Sequence, residues 1–392
     1  MLGLLLLAGA VNYVDRITVS VANPLIAAEL HLRPAQMGVL LSAFLWSYAL
    51  AQAPAGALID RFGPKRLLGA AMGLWSTAQA ATGLAPGLPA LILARLALGV
   101  GESPQWPVGA RLVRTWFQHQ HRGVATGVFN SASTLGPAIA PPIVTALMLS
   151  LGWRSAFIAT GGAGLMVAVL WLSLYRERPT APDESSAAPP VATRRVLTHP
   201  TLWAMALGNA GSGYLNWFYA AWLPGYLEMA RHLSVPKTGW LAAVPFLFGF
   251  LGSLVGGWAC DRLASAGLSP VISRKAPIVA GLVAGGAFTG VAIFANSDAA
   301  VLAAISAALF FANVAGAAVW ALAITVAPTN ATASVGAVQN FGGLVGGAVA
   351  PLATGLMVEA TGSFAPALAA TAAAAFGGAT VYLFGVRRPI ML

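Results

Sequence analysis

Charge is what this chain has least of. Asp, Glu, Lys and Arg together make up 8% of its 392 residues, where a soluble domain carries about a quarter. With 58% of residues apolar and a mean hydropathy of +0.77, a soluble enzyme, a nucleic-acid binder and a disordered scaffold are excluded. Cysteine is nearly absent as well. The single Cys260 has no internal partner, so packing must hold the fold without a disulfide framework. No glycine-rich phosphate-binding motif is present, which argues against an ATP-driven pump. The five histidines, His31, His119, His121, His199 and His232, lie at ends or connections without support from Cys or acids, so no metal site and no cofactor are expected.

What the chain does have is long apolar blocks. At about 20 residues per bilayer-spanning helix, its length accommodates roughly a dozen spans. Twelve blocks are nearly free of charge: 2–27, 36–58, 66–86, 88–112, 122–148, 154–174, 200–227, 237–259, 276–296, 299–327, 333–357 and 364–386. Lipid offers no partner to an open strand edge, and the blocks lack the alternation of a barrel strand, so helices are expected. The first block carries Asp15 and Arg16 at its centre and has no basic leader, and it reads as a retained span. Residues 176–199, rich in Pro, Ser and Ala, have the composition of a linker. They separate an N-terminal bundle, 1–175, from a C-terminal bundle, 200–392. The expected class is an all-α membrane protein with twelve transmembrane helices in two pseudo-symmetric six-helix bundles.

Of the 21 Lys and Arg residues, fifteen fall in the even-to-odd connections and the C-terminus and four in the opposite connections. That asymmetry places both termini in the cytoplasm. The net charge of +10 is therefore an orientation signal and requires no nucleic-acid partner.

The two halves resemble each other where polar residues are scarce. Gly56-Ala-Leu-Ile-Asp60-Arg61 ends span 2, and Gly257-Trp-Ala-Cys-Asp261-Arg262 ends span 8, offset by 201 residues. Asn130, Gly136, Ala140 and Pro141 correspond to Asn340, Gly346, Ala350 and Pro351 at an offset of 210. Parallel repeats of this kind are one plan of secondary transporters, in which the halves rock about a midplane site. The Asp-Arg corners, with Lys65 and Arg66 following the first, suit a charge network that holds in one state and parts in another, with Gly56, Asp60, Arg61, Asp261 and Arg262 as gating residues. A capped turn within a basic cluster is the alternative.

Four ionisable residues apart from tyrosines sit deep in spans: Asp15, Arg16, Arg95 and Glu102. A charge at bilayer depth costs several kcal/mol, so each is a functional candidate. Arg95 and Glu102 are seven residues apart, which puts them on one helix face about 10 Å apart. Asp15 and Arg16 diverge by about 100° around their helix. The ionised quartet sums to zero, so an arriving carboxylate brings excess negative charge unless an acid takes up a proton. Burial disfavours the charged carboxyl and a neighbouring arginine favours it, so substrate that occupies the arginine releases the acid to protonate. Arg16 or Arg95 is assigned to the substrate carboxylate, which its planar fork suits, and Asp15 and Glu102 to proton binding. Two structural ion pairs locking spans 1 and 4 are the alternative. The second half has no deep charge, so its share of the pocket must be neutral: Gln339 and Asn340 in span 11, Trp320 and Asn313 in span 10, and Asn209, Ser212, Tyr214 and Asn216 in span 7. Tyr13 and Tyr48 are the equivalent candidates in the first half.

GALIDRFGPKR at 56–66 resembles the signature loop of the major facilitator superfamily, and Arg95-x-x-x-Gly99-x-Gly101-Glu102 resembles its fourth-helix motif. Asn12-Tyr13-Val14-Asp15-Arg16, Gly101-Glu102-Ser103-Pro104, Arg111 with Trp116-Phe117, and Gly152-Trp153-Arg154-Ser155-Ala156-Phe157 are similar to the anion:cation symporter family. That family includes proton-coupled bacterial carriers of galactonate, glucarate and hexuronates and vesicular carriers of glutamate and sialic acid. The resemblance covers essentially the whole chain. It implies that the acids are protonation sites, that a span 1 arginine lies in the substrate pocket, and that Tyr48 and Asn340 occupy sugar-acid carrier positions. Two residues depart from the galactonate-type pattern: Ser133 stands where those carriers have glutamine, and Trp106 replaces a phenylalanine. A smaller polar group and an added indole weigh against a polyhydroxylated substrate and admit a flatter or more apolar carboxylate.

The expectation is a monomeric facilitator in a bacterial inner membrane that imports a small organic anion, a sugar acid or other carboxylate, with protons. A proton-driven efflux antiporter is the main competitor, because Thr134-Leu135-Gly136-Pro137 partly resembles the antiporter glycine-proline motif. Arg16 and Arg95 favour an anion over cationic drugs.

Overall fold

Apolar blocks that cannot leave a backbone group unbonded in lipid close their hydrogen bonds within helices, and helices are what the computed structural model contains. It describes residues 1–118, 121–177, 197–328, 331–387 and 390, and the side chains of residues 56, 123, 124, 127, 130, 134, 135 and 333 lie outside that description. Thirteen helices, and no strand, occur among the described residues: α1 (Leu2–Glu29), α2 (Pro34–Gln52), α3 (Ala55–Gly83), α4 (Leu88–Glu102), α5 (Gln105–Trp116), α6 (Arg122–Leu174), α7 (Pro200–Met229), α8 (Val235–Leu241), α9 (Ala243–Ser265), α10 (Pro270–Phe294), α11 (Asp298–Val326), α12 (Thr332–Thr361) and α13 (Ala365–Gly385).

Twelve spans follow once the breaks are followed. Span 2 is α2 plus the first limb of α3, and the rest of α3 is span 3. Span 4 is α4 with α5, spans 5 and 6 are the two limbs of α6, span 7 is α7, and span 8 is α8 with α9. The remaining helices are spans 9 to 12. Length and hydropathy alone select only eight stretches, because α6 is counted once, α4 is cut to 15 residues, and α3 and α7 carry more polar side chains.

The breaks have local causes. At Gly63 (φ 76°) and Gly152 (φ 80°) the chain turns between spans in a conformation that costs glycine little, so helix resumes at once. Pro104 has no N–H to give Val100; the Val100 carbonyl instead accepts from the Ser103 backbone at 3.4 Å and from its hydroxyl at 2.9 Å. Span 4 is therefore discontinuous, with Glu102 and Gln105 flanking the interruption. After α1 and α7 the chain leaves the helix through His31 (φ 51°) and His232 (φ 54°). These histidines are 201 residues apart, the same offset as the Asp-Arg corners, so the repeat is present in the backbone as well as in the motifs.

The chain divides into two compact units, Met1–Pro182 with Ala220–Ala243, and Asp183–Tyr219 with Val244–Leu392. The halves expected from sequence follow the order of the chain; the units follow space, and they place the end of α7 and all of α8 with the first bundle. There Ser20 Oγ donates to the Ala221 carbonyl at 2.7 Å. Of the linker at 176–199, residues 178–196 lie outside the described residues.

Within the first unit α1 and α3 run along α6, and α2 and α3 pack on α4. Glycine permits the closest approach: a Cβ on Gly99 would stand 2.1 Å from Ser47 Oγ and 2.4 Å from the Phe44 carbonyl. In the second unit α10 packs on α11 and α13, while Gly342 and Gly346 of α12 lie so close to α7 that a Cβ would meet the Ala206 and Ala210 carbonyls at 2.0 Å.

Gly99→Ala is expected to destabilise the purified protein by about 1–3 kcal/mol through overpacking, read as a lowered Tm in detergent. Gly73→Ala, with nothing within 4 Å of its Cβ, is expected to be neutral or slightly stabilising because alanine favours helix. Equal Tm values for the two variants would contradict this account of the α2–α4 contact.

Candidate functional site

Asp15 and Arg16 are consecutive on α1, and their divergence sends them into two different clusters of the first unit. Arg16 Nε donates to Glu102 Oε2 at 2.6 Å. Its guanidinium carbon lies 5.0, 5.0 and 4.9 Å from the ring centroids of Tyr13, Phe44 and Tyr48. Arg16 is 9% exposed and Glu102 0%, so the contacts act without solvent screening, and each cation–π contact is worth up to about 2 kcal/mol. The ion pair uses one edge contact only. Arg16 Nη2 and Glu102 Oε1 are buried without a hydrogen-bond partner, although a guanidinium and a carboxylate can join through two parallel bonds. The fork is thus half filled.

Around it, the Tyr48 hydroxyl faces the Arg16 guanidinium and accepts from Gln52 Nε2 at 3.5 Å, and the Tyr13 hydroxyl faces Ser133. Trp106 meets Tyr13 edge-on at 6.4 Å and packs on Phe129 at 4.7 Å. Tyr13, Arg16, Tyr48, Glu102, Trp106 and Ser133, candidates from five helices, therefore converge.

Asp15 and Arg95 form the second cluster. Arg95 Nη1 donates to the Asp15 backbone carbonyl and Nη2 to Gln79 Oε1, both at 3.4 Å, while Gln79 Nε2 donates to Thr160 Oγ1 at 3.1 Å. The guanidinium also lies 5.6 Å from the Phe157 ring centroid. Neither Asp15 carboxylate oxygen has a hydrogen-bond partner, although the Thr160 hydroxyl faces it. Two nitrogens of Arg95 are committed to backbone and amide acceptors while its Nε is buried without a partner; Arg16 is the arginine walled by three rings. Sequence reasoning missed Phe44, Gln79, Phe157 and Thr160. The two polar ones were legible as polar residues within apolar blocks, Phe157 only as the last residue of the motif at 152–157, and Phe44 carries no signal.

At the Asp-Arg corner, Asp60 of α3 pairs with Arg111 of α5, not with the basic residues that follow it, and Arg61 lies 5.3 Å from the Phe62 ring centroid. The Gly56 side-chain position lies outside the described residues. Asp261 and Arg262 are exposed at the end of α9, and neither makes an ion pair among the described residues.

In the second unit Gln339 is buried and its Nε2 donates to the Val319 carbonyl at 3.0 Å, while its backbone carbonyl accepts from Asn209 Nδ2 at 2.9 Å. Gln339 thereby ties α12 to α11 and α7. Asn313 donates to Asn216 at 3.3 Å. Trp320 is 55% exposed and Asn340 is half-buried. The Asn130, Thr134 and Leu135 side chains lie outside the described residues.

Twelve apolar spans whose halves repeat are one plan of secondary transporters. From residue 5 to 351 the chain matches the Major Facilitator Superfamily model, and it belongs to that superfamily of multi-pass membrane transporters. A probable L-galactonate transporter of Escherichia coli strain K12 is 40% identical over 402 residues, covering 99% of this chain and 89% of that protein. The D-galactonate transporter of Escherichia coli O6:H1 is 33% identical over 395 residues, covering 95% and 91%. Among solved structures, a bacterial homolog of the human lysosomal transporter Spinster superposes with a TM-score of 0.80 over 98% of this chain and 94% of that one, at 20% identity. That likeness shows the fold. The family resemblance read from spans 1 and 4 holds.

The two ion pairs predict opposite energetics. Asp60 and Arg111 side chains are 77% and 35% exposed, so a double-mutant cycle with Asp60→Asn and Arg111→Gln is expected to give a coupling of about 1 kcal/mol or less. Arg16→Leu strands Glu102 and is expected to cost about 3–5 kcal/mol. Thermal unfolding in detergent measures both, and a larger loss at the exposed pair would refute the assignment.

Proposed function

We propose that this transporter imports a small organic anion, a sugar acid of the galactonate type, together with protons, across a bacterial inner membrane with both termini in the cytoplasm. The observation that carries this reading is the half-filled Arg16–Glu102 pair. Arg16 offers an unbonded Nη2 within an aromatic cage, and an incoming carboxylate would complete the fork by competing with Glu102 for the guanidinium. Glu102, left buried without its counter-charge, would then accept a proton instead of remaining an uncompensated anion. Binding of the solute and binding of the proton become one event because each removes the electrostatic cost of the other.

Asp15 is the second proton site in this scheme. Arg95 holds the α1 backbone at that residue and is given a supporting part, while Arg16 takes the substrate. Tyr48 and Ser133 supply hydroxyl donors and acceptors to the substrate chain, and Tyr13 and Trp106 supply flat faces for its C–H surfaces. The relatives carry galactonates by name, so Trp106 and Ser133 are read as shaping a hydroxylated acid's site, not as excluding one. From the second half Trp320, Gln339 and Asn340 remain the proposed neutral contacts. Gly56, Asp60, Arg61, Asp261 and Arg262 remain the proposed gate, with Arg111 added. The proton is the coupling ion, no cofactor is invoked, and the working unit is a monomer in the lipid bilayer.

The test is uptake by protein reconstituted in liposomes. With an inward proton gradient, labelled D- or L-galactonate is expected to accumulate above its external concentration, whereas an antiporter would expel it. Glu102→Gln is expected to retain counterflow exchange and to lose accumulation. Full accumulation by that variant would reject Glu102 as the coupling acid, and accumulation unaffected by collapse of the proton gradient would reject proton coupling altogether.

A further inference from the structure

Span 4 is two helices that are held in different ways. Glycine wedges α4 in place: a Cβ on Gly99 would run into the α2 backbone at Phe44, and one on Gly101 would stand 2.8 Å from the Trp75 backbone nitrogen of α3. α5 has no such seam at its own inner glycine. The three atoms nearest a Cβ on Gly109 all belong to the ring of Phe129, and side chains join α5 to its other neighbours. Gln105 Nε2 lies 3.9 Å from the Cβ position of Gly9, Trp106 meets Tyr13 and Phe129, Arg111 pairs with Asp60, and the Trp116 ring lies 6.1 Å from that of Tyr175. Backbone packed on backbone fixes a helix, whereas side-chain contacts can be remade as it shifts.

The junction between the two helices lacks two rungs. Pro104 and Pro107 carry no N–H, so neither the Val100 nor the Ser103 carbonyl receives the bond that a continuous helix would give it, and proline is where helices bend. The two ends of α5 meet different parts of the first unit. Trp106, in its first turn, stands edge-on to Tyr13, whose ring centroid lies 5.0 Å from the Arg16 guanidinium carbon. Further along, Arg111 joins the Asp-Arg corner, and Trp116 approaches Tyr175, the residue before the linker. Arg111 lies about 10 Å from Pro104 along the axis. A swing of about 10° at the proline therefore carries it about 2 Å, enough to part a hydrogen-bonded ion pair.

We propose that α5 is a hinged arm, swinging about Ser103 and Pro104 on a fixed α4, and that it carries substrate binding at Trp106 to the Asp60–Arg111 pair. This rests on the substrate site proposed above. With Trp106 edge-on to Tyr13 the pair is made. A solute held by Arg16 and seated between those two rings presses α5 away from α1 and parts it, so the attraction between Asp60 and Arg111 opposes binding. The coupling is reciprocal: whatever weakens the pair tightens solute binding by the same factor. Because the two side chains are 77% and 35% exposed, that factor is small, and the pair is remade readily once the solute leaves.

The experiment restores both rungs in the full-length protein with Pro104→Ala and Pro107→Ala together. This variant is expected to keep or raise its Tm, since alanine favours helix, yet to slow counterflow of labelled D-galactonate in liposomes by about tenfold, as loss of a hinge does. Counterflow at the parental rate would overturn the arm. Asp60→Asn, at an exposed site, reports even if the proline variant folds poorly: it is expected to tighten D-galactonate binding by about two- to fivefold, and unchanged or weaker binding would overturn the coupling. Spin labels at Leu93→Cys and Ala110→Cys, with Cys260→Ser, stand about 25 Å apart along a straight helix and read the bend without any solute. Two distances are expected in the parent and one in the proline variant, whereas one shared distance would again overturn the arm. Two distances in a parent that neither binds nor exchanges D-galactonate would keep the arm and overturn the substrate reading beneath it.

Discussion

A guanidinium held among three aromatic rings, against one oxygen of one carboxylate, is the arrangement on which the first bundle turns. Neither charge is tolerable in an apolar bundle without the other, and neither can reach the other unless helices approach more closely than side chains normally allow. Glycine supplies that approach. Gly99 lets α4 settle onto α2 at Phe44 and Ser47, which brings Glu102 to Arg16 and completes the cage with Tyr48. Gly136 lies against Tyr13 so closely that a Cβ would stand 2.4 Å from the tyrosine's own, which seats Ser133 beside the phenol. The electrostatic centre and the small-residue seams are one design.

The interruptions in the helices serve the same centre. Span 4 breaks at Ser103 and Pro104, directly after Glu102, in the way that transporter helices are interrupted beside their binding sites. At the other extreme, Gly63 and Gly152 allow spans to reverse with almost no loop, and the turn at Gly152 is fixed from outside. Trp153 and Arg154, which follow it, donate to Glu29 at the end of α1 at 2.5 and 3.0 Å, and Arg154 also reaches the Gly83 and Ala85 carbonyls after α3 at 3.2 and 2.8 Å. One arginine thereby ties the ends of three spans together. The family motif that contains it is a structural clasp in this chain.

Much of this was legible beforehand. Span number and the burial of Asp15, Arg16, Arg95 and Glu102 rest on scarcity: a charge in an apolar block is conspicuous whatever surrounds it. The repeat was legible at the Asp-Arg corners for the same reason, and the shared exit through His31 and His232 was not, because a backbone angle leaves little trace in residue type. Gln79, Gln105 and Thr160 escaped notice because a neutral polar residue in a span is as often a packing bond as part of a site. The Asp-Arg corner was read from its neighbours in sequence, and its ion-pair partner, Arg111, comes from 51 residues away.

Composition and residue order alone determined that this chain crosses a bilayer many times, which charges it buries, and that Asp15 and Arg16 must face apart, since lipid penalises every exposed backbone group and consecutive helix positions are separated by a fixed rotation. Tertiary structure alone decided which arginine stands in the aromatic cage, and which oxygen and nitrogen are left open. Those outcomes depend on contacts between helices far apart in the chain, at distances that glycine and proline positions permit but no periodicity encodes.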